Sequence, residues 1–121
     1  MDVLVVDDSA VARAVFKELV AEVAGVRVAA EAASGDEALQ RVEERPFDVV
    51  VMDWSMPGMD GIEATGRLRA AHPGIRVVGW TSTDEAAVHH AFTAVGAEAV
   101  FVKERVVPLL GFLSGIAAAR R

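Results

Sequence analysis

The sequence predicts an α/β fold: five βα units, the strands parallel in one sheet, with helices on both faces. Three observations carry this. Short runs rich in β-branched residues alternate with longer stretches whose apolar residues recur at helical spacing. Runs such as Val3-Leu4-Val5-Val6 and Val49-Val50-Val51-Met52 are apolar at every position, as strands buried on both faces require. Right-handed crossovers between parallel strands then place helices on both sides of the sheet.

The first strand, Val3 to Val6, ends in Asp7-Asp8. Val11, Val15, Phe16, Leu19, Val20 and Val23 then trace one helix face, and Gly25 stops it. The second strand spans Val26 to Ala33. Ser34 and Glu37 form a capping box for a helix whose stripe is Ala38, Leu39 and Val42. Arg45-Pro46 closes that helix, because the residue before proline resists helical geometry.

Val49 to Met52 is the third strand and ends at Asp53. Trp54 to Gly61, with Pro57 and Gly58, reads as a loop before a helix from Ile62 to Ala71. His72-Pro73-Gly74 ends the helix, and Ile75 to Trp80 forms the fourth strand. Thr83 suits an N-cap, with Asp84 and Glu85 in the first turn, where the helix dipole favours acids. Val88, Ala91, Phe92 and Val95 give that helix its stripe. Ala99 to Val102 is the fifth strand, ending at Lys103. The last helix carries Val106, Leu109, Leu110, Leu113, Ile116 and Ala117.

A chain of 121 residues, 53% hydrophobic, fits one domain spanning residues 1–121 and leaves no room for two. A net charge of −6 is wrong for a nucleic-acid surface, so no direct nucleic-acid binding is expected. The absence of cysteine excludes a disulfide scaffold and any thiolate site. No apolar run approaches the ~20 residues of a membrane span, and no signal peptide is visible. A cytoplasmic domain without membrane contact is the expectation.

Ligands of an open parallel sheet gather at the carboxyl ends of its strands. Here those ends present Asp7, Asp8, Asp53, Thr81, Ser82 and Lys103. Converging carboxylates repel one another unless a cation intervenes. Three aspartates without cysteine or histidine make an oxygen-only set that suits Mg²⁺, with Mn²⁺ as a substitute. Lys103 offers a point charge and Thr81 a hydroxyl to a phosphoryl oxygen, and a carboxylate is a nucleophile toward phosphorus. Each residue alone has a plainer reading: Asp8 or Thr81 as a cap, Lys103 as a solvated surface charge. Their joint occurrence at the strand ends favours the chemical one.

Val3-Leu4-Val5-Val6-Asp7-Asp8, the segment Met52-Asp53-Trp54-Ser55-Met56-Pro57-Gly58-Met59-Asp60-Gly61, Thr81 and Lys103 together resemble the receiver domain of bacterial two-component response regulators. The resemblance implies a flavodoxin-like fold with strand order 2-1-3-4-5. It implies that Asp53 accepts a phosphoryl group from a sensor histidine kinase or phosphotransfer protein. Asp7, Asp8, Asp53 and the backbone carbonyl of Ser55 would hold Mg²⁺. Thr81 and Lys103 would contact the phosphoryl group. The face built from the fourth helix, fifth strand and fifth helix would engage an output domain or target, or a second copy in a phosphorylation-dependent homodimer. Such a domain is regulatory and acts on no diffusible substrate.

Three positions depart from the family pattern. Val100 stands where an aromatic switch residue is usual. Phe101 cannot replace it, because adjacent strand residues face opposite ways. Glu104 follows Lys103 where a cis-proline is common, and Ser82 replaces a smaller residue. Outside these, Trp54 is either a packing residue or a kinase-facing one, Trp80 reads as structural, and Asp60-Gly61 as the turn into the third helix. His72 fits a helix C-terminus, and adjacent His89 and His90 diverge by ~100° around a helix, so they do not share an ion. Val107 and Phe112 widen the last helix's apolar face into a potential partner patch.

Competing readings are a degenerate receiver that binds partners constitutively, an aspartyl-phosphate phosphatase, and a nucleotide- or flavin-binding module. Ser55 stands where such a phosphatase carries a second aspartate, two residues after its nucleophile. The sequence has neither a Walker A nor a G-x-G-x-x-G motif.

Overall fold

Branched apolar residues at consecutive positions cannot sit on one stripe of a helix, but they can fill both faces of a sheet. The computed structural model, which describes residues 1–120, puts them there. Strands β1 (Asp2–Val6), β2 (Arg27–Ala32), β3 (Val49–Met52), β4 (Arg76–Thr81) and β5 (Ala99–Val102) pair in parallel, in the order β2-β1-β3-β4-β5. They alternate with helices α1 (Ala10–Ala21), α2 (Gly35–Glu44), α3 (Gly61–Ala71), α4 (Ala86–Ala94) and α5 (Val106–Ala119). This is the flavodoxin-like arrangement expected from the sequence.

Strand alternation divides the core in two. Leu4, Val6, Val50, Met52 and Val77 pack with Ala38, Ala64, Leu68 and Phe92 on the face covered by α2, α3 and α4. Val3, Val5, Val49, Val51, Val78 and Trp80 pack with Phe16, Val20, Leu109 and Leu113 on the face covered by α1 and α5. Val3 to Val6 and Val49 to Met52 are fully buried, which explains why no polar residue interrupts either run.

Helix starts follow local chemistry. Ser9 caps α1, its side chain accepting the Ala12 N–H, so the cap role open to Asp8 is taken by its neighbour. Ser34 caps α2 and Asp60 caps α3 in the same way. The fourth helix corrects the expectation from sequence. It begins at Ala86, with Glu85 at the N-cap and no side-chain capping bond. The Thr83 hydroxyl instead accepts the Glu85 N–H, two residues on, at 3.2 Å, which folds a turn ahead of the helix and delays its start.

Among the described residues no peptide bond is cis, including the one after Lys103. No helix among them is long and apolar enough to cross a membrane. Phe112 is half-buried against Phe101, with ring centroids 5.3 Å apart, while Val107 is 74% exposed, so only Val107 remains of the patch expected on α5.

Candidate functional site

Strand order reverses at β1, which lies between β2 and β3, and in open parallel sheets the ligand crevice lies at such a point, here beyond the carboxyl ends of β1 and β3. The sheet ladder continues one residue past the strands and fixes the residues that line it. Asp7 N–H donates to the Ala32 carbonyl at 3.0 Å, Asp53 N–H to Val6 at 2.9 Å, and Lys103 N–H to Thr81 at 2.8 Å. The candidate side chains therefore project from backbone that the parallel sheet already holds.

Asp7, Asp8 and Asp53 each place a carboxylate oxygen within 4.8 Å of the others. Asp7 and Asp53 are buried, and Asp8 is exposed at the mouth. Octahedral Mg²⁺ with bonds of ~2.0–2.1 Å spans about 4 Å between trans ligands, so this cluster fits the ion with small adjustments. The donor set is all oxygen, as expected. Ser55 lies two residues beyond Asp53, exposed in the β3–α3 loop. Its carbonyl accepts no backbone hydrogen bond among the described residues, which leaves it available as a further oxygen ligand.

Lys103 reaches the same crevice. Its ammonium lies 2.6 Å from Asp7 Oδ2 and 3.1 Å from Asp53 Oδ1. Asp53 Oδ1 also accepts the Trp54 N–H at 2.9 Å. The Thr81 hydroxyl, in a side chain 1% exposed, accepts the Thr83 N–H at 3.2 Å. Ser82, next to it, is exposed.

Charge and burial compete here. Burial drives the Asp53 carboxyl up to about 6, with Lys103 pulling it down and Asp7 pushing it further up. Burial would lower the pKa of the Lys103 ammonium, but its bond to Asp7 and the charge of Asp53 outweigh this and hold it above the ordinary lysine value. The crevice thus contains a carboxylate in need of positive charge and a lysine that stays charged.

Supporting contacts escaped sequence reasoning. Arg13 Nη1 donates to the Asp7 carbonyl at 2.6 Å, and Arg13 Nε pairs with Glu31 at 2.9 Å, which ties the β1–α1 loop to strand β2. Lys103 Nζ lies 5.0 Å from the centroid of the Trp80 ring, so Trp80 borders the site as well as filling the core. Its indole nitrogen is the one buried side-chain polar atom without a partner among the described residues. Gly61 is more than a turn residue. A Cβ there would stand 1.8 Å from the Asp53 carbonyl oxygen. No sequence signal marks the Arg13 contact. The site-bordering place of Trp80 follows from its register, opposite Phe101 and two residues short of Lys103.

The remaining candidates lie elsewhere. Trp54 is half-buried against the α2–α3–α4 core. His72 is the C-cap of α3 and meets Glu43 at 2.9 Å. His90 is exposed, whereas His89 bonds to the loop before α4.

Fold and site together define a parallel α/β domain with an acidic, lysine-bearing crevice at its switch point. The sequence matches the response regulator receiver domain over residues 3–108. Response regulator GacA of Pseudomonas viridiflava is 43% identical over 83 residues, which are 69% of this chain and 39% of that protein. A crystal structure of a LuxR-family two-component response regulator from Aurantimonas sp. SI85-9A1 superposes with a TM-score of 0.91 at 31% identity, covering 99% of this chain and 86% of that one. The response regulator domain of Thermotoga maritima CheB superposes with a TM-score of 0.86 at 30% identity, covering 97% and 95%.

The chain belongs to the response regulator receiver domain family, a regulatory class whose general role is phosphorylation-dependent signalling. It spans about two fifths of the length of the GacA relatives, 39% in each case.

Proposed function

We propose that residues 1–121 act as one receiver domain that takes a phosphoryl group on Asp53 from the phosphohistidine of a sensor kinase or phosphotransfer protein. The supporting observation is the pairing of a buried, cation-seeking carboxylate with Lys103 beside two further aspartates. Asp53 Oδ1 is engaged by Lys103 and by the Trp54 N–H. Oδ2 has no such partner and is not among the buried unpartnered atoms, so it is the oxygen open to the crevice and to attack on phosphorus. As the O–P bond forms, the P–N bond to the donor imidazole breaks and that ring takes up a proton.

Asp7, Asp8, Asp53 and the Ser55 carbonyl are the groups that would hold Mg²⁺ or Mn²⁺. A metal held there would supply positive charge to the transferring phosphoryl oxygens. Lys103 stabilises the same charge from the β5 side. The Thr81 hydroxyl donates to a phosphoryl oxygen once it turns from its present role as acceptor for the Thr83 N–H. The added charge of about −1.5 to −2 then biases the β4–α4 loop and the α4–β5–α5 face toward an output domain, a target protein or a second copy.

The test is incubation with a small phosphodonor and Mg²⁺, followed by mass spectrometry. We expect a gain of one phosphoryl group that is absent without divalent metal and absent in Asp53→Asn. No gain with any donor or kinase, or an equal gain in Asp53→Asn, overturns the reading.

A further inference from the structure

We propose that His89, on α4, couples the state of the Thr81 hydroxyl to the groove between α4, β5 and α5. The proposal rests on the reading of Asp53 as phosphoacceptor and names the side chain through which that event reaches the output face.

The coupling runs through one residue, Thr83. Its N–H donates to Thr81 Oγ1 at 3.2 Å, and its carbonyl lies 2.9 Å from His89 Nε2. A carbonyl oxygen can only accept, so Nε2 carries the proton in this contact. Both backbone groups of Thr83 are therefore held by side chains, one from the candidate phosphorylation site and one from α4. The Thr83 hydroxyl accepts the Glu85 N–H and so sets where α4 begins. The loop is a short strap with a side-chain anchor at each end.

His89 also faces the groove. It lines this shallow depression with Val100, Phe101, Val102, Arg105 and Pro108. Val100 packs on the α4 side of the sheet, so near Gly79 that a Cβ there would stand 3.1 Å from Val100 Cγ1. Its side chain carries no donor for the strap. Phe101 points to the opposite face, against Phe112. Among the described lining residues, His89 alone has a hydrogen bond to the β4–α4 loop. The side chains of β5, Ala99 to Val102, are all apolar and offer the loop no hydrogen bond, and His89 stands beside them with one.

When the Thr81 hydroxyl turns to a phosphoryl oxygen, the Thr83 N–H loses its acceptor, and of the two side chains that hold the Thr83 backbone only His89 remains. The Thr83 carbonyl then shifts, and the imidazole moves relative to Val100 and Arg105. The shape of the groove changes without any aromatic rotation on β5.

Nuclear magnetic resonance of the whole chain, with Mg²⁺ and beryllofluoride as the probe, tests this. In the wild type the His89 ring nitrogens and the amides of residues 99–105 should shift on loading. His89→Ala should bind the probe within about threefold of wild type, because it touches no site residue, yet lose at least about half of the groove response. His89→Gln, which keeps a donor within reach of a carbonyl, should restore part of the response, and His89→Phe should not. A full groove response in His89→Ala, or loaded wild type with unmoved His89 and groove signals, overturns the proposal while leaving the site intact. Wild-type Thr81 and Lys103 signals that never respond to the probe overturn the reading of the site, and this proposal with it.

Discussion

Removing the negative charge of Asp53 should stabilise the metal-free domain, although Asp53 is central to its proposed chemistry. Asp53 is 5% exposed, and burial raises its carboxyl from the ordinary 3.8 to about 6. In the folded state it therefore holds its proton across a range where the unfolded chain has released it. The resulting stabilisation is complete below pH 3.8 and is lost as pH rises through about 6. Holding the ionised form at neutral pH costs about 3 kcal/mol, from ~1.4 kcal/mol per tenfold change in proton affinity.

Asp53→Asn removes that cost. It gives up the 3.1 Å contact with Lys103, but Lys103 keeps its 2.6 Å contact with Asp7. We expect the variant to be more stable than wild type by about 1–3 kcal/mol at pH near 8 in chelator, and nearly equal near pH 4. Urea denaturation of both proteins across this range measures the difference. Subtracting one from the other cancels acids that titrate in the opposite sense, such as Asp2, which Arg27 and Arg45 hold down at about 2. Saturating Mg²⁺ should then recover about 2–3 kcal/mol in wild type and less in the variant. A difference that does not change with pH, or an Asn variant that is less stable near pH 8, refutes the reasoning.

Gly61→Ala should force the Asp53 carbonyl to move, since the new Cβ stands 1.8 Å from its oxygen. A loss of about 2 kcal/mol or more in urea, with weaker Mg²⁺ binding in a fluorescence titration, is the expected result. Lys103→Met keeps the side-chain stem but removes the ammonium from two carboxylates, so Asp53 should titrate still higher. Phosphorylation by a small donor should slow by about tenfold or more, read from initial rates of mass gain. Trp80→Phe should keep a π-face beneath Lys103 and lose the unpartnered indole N–H, leaving stability within about 1 kcal/mol by urea denaturation. Trp80→Ala, which opens a cavity beside Phe16, should cost about 3–5 kcal/mol.

The difference between what was legible in the sequence and what was not lies in the range of the forces involved. Val3 to Val6 and Val49 to Met52 announce buried strands by composition alone, and their ends must then deliver Asp7, Asp8 and Asp53 to one rim. The sheet imposes that convergence, so five consecutive strand assignments suffice to locate the site. Thr83 shows where local chemistry becomes ambiguous. A threonine before a helix can cap it by accepting an N–H two or three residues on, or can close a turn with a similar bond. The residue type is the same in both cases. The choice here is made from outside the segment: Thr81 Oγ1 holds the Thr83 N–H, and His89 holds its carbonyl. A bond from His89 to a carbonyl six residues earlier belongs to no helical periodicity, so no pattern in the sequence points to it. The segment least legible in the sequence is thus the one whose two anchors lie on different elements, and a segment that takes its conformation from both is well placed to carry a change from one to the other.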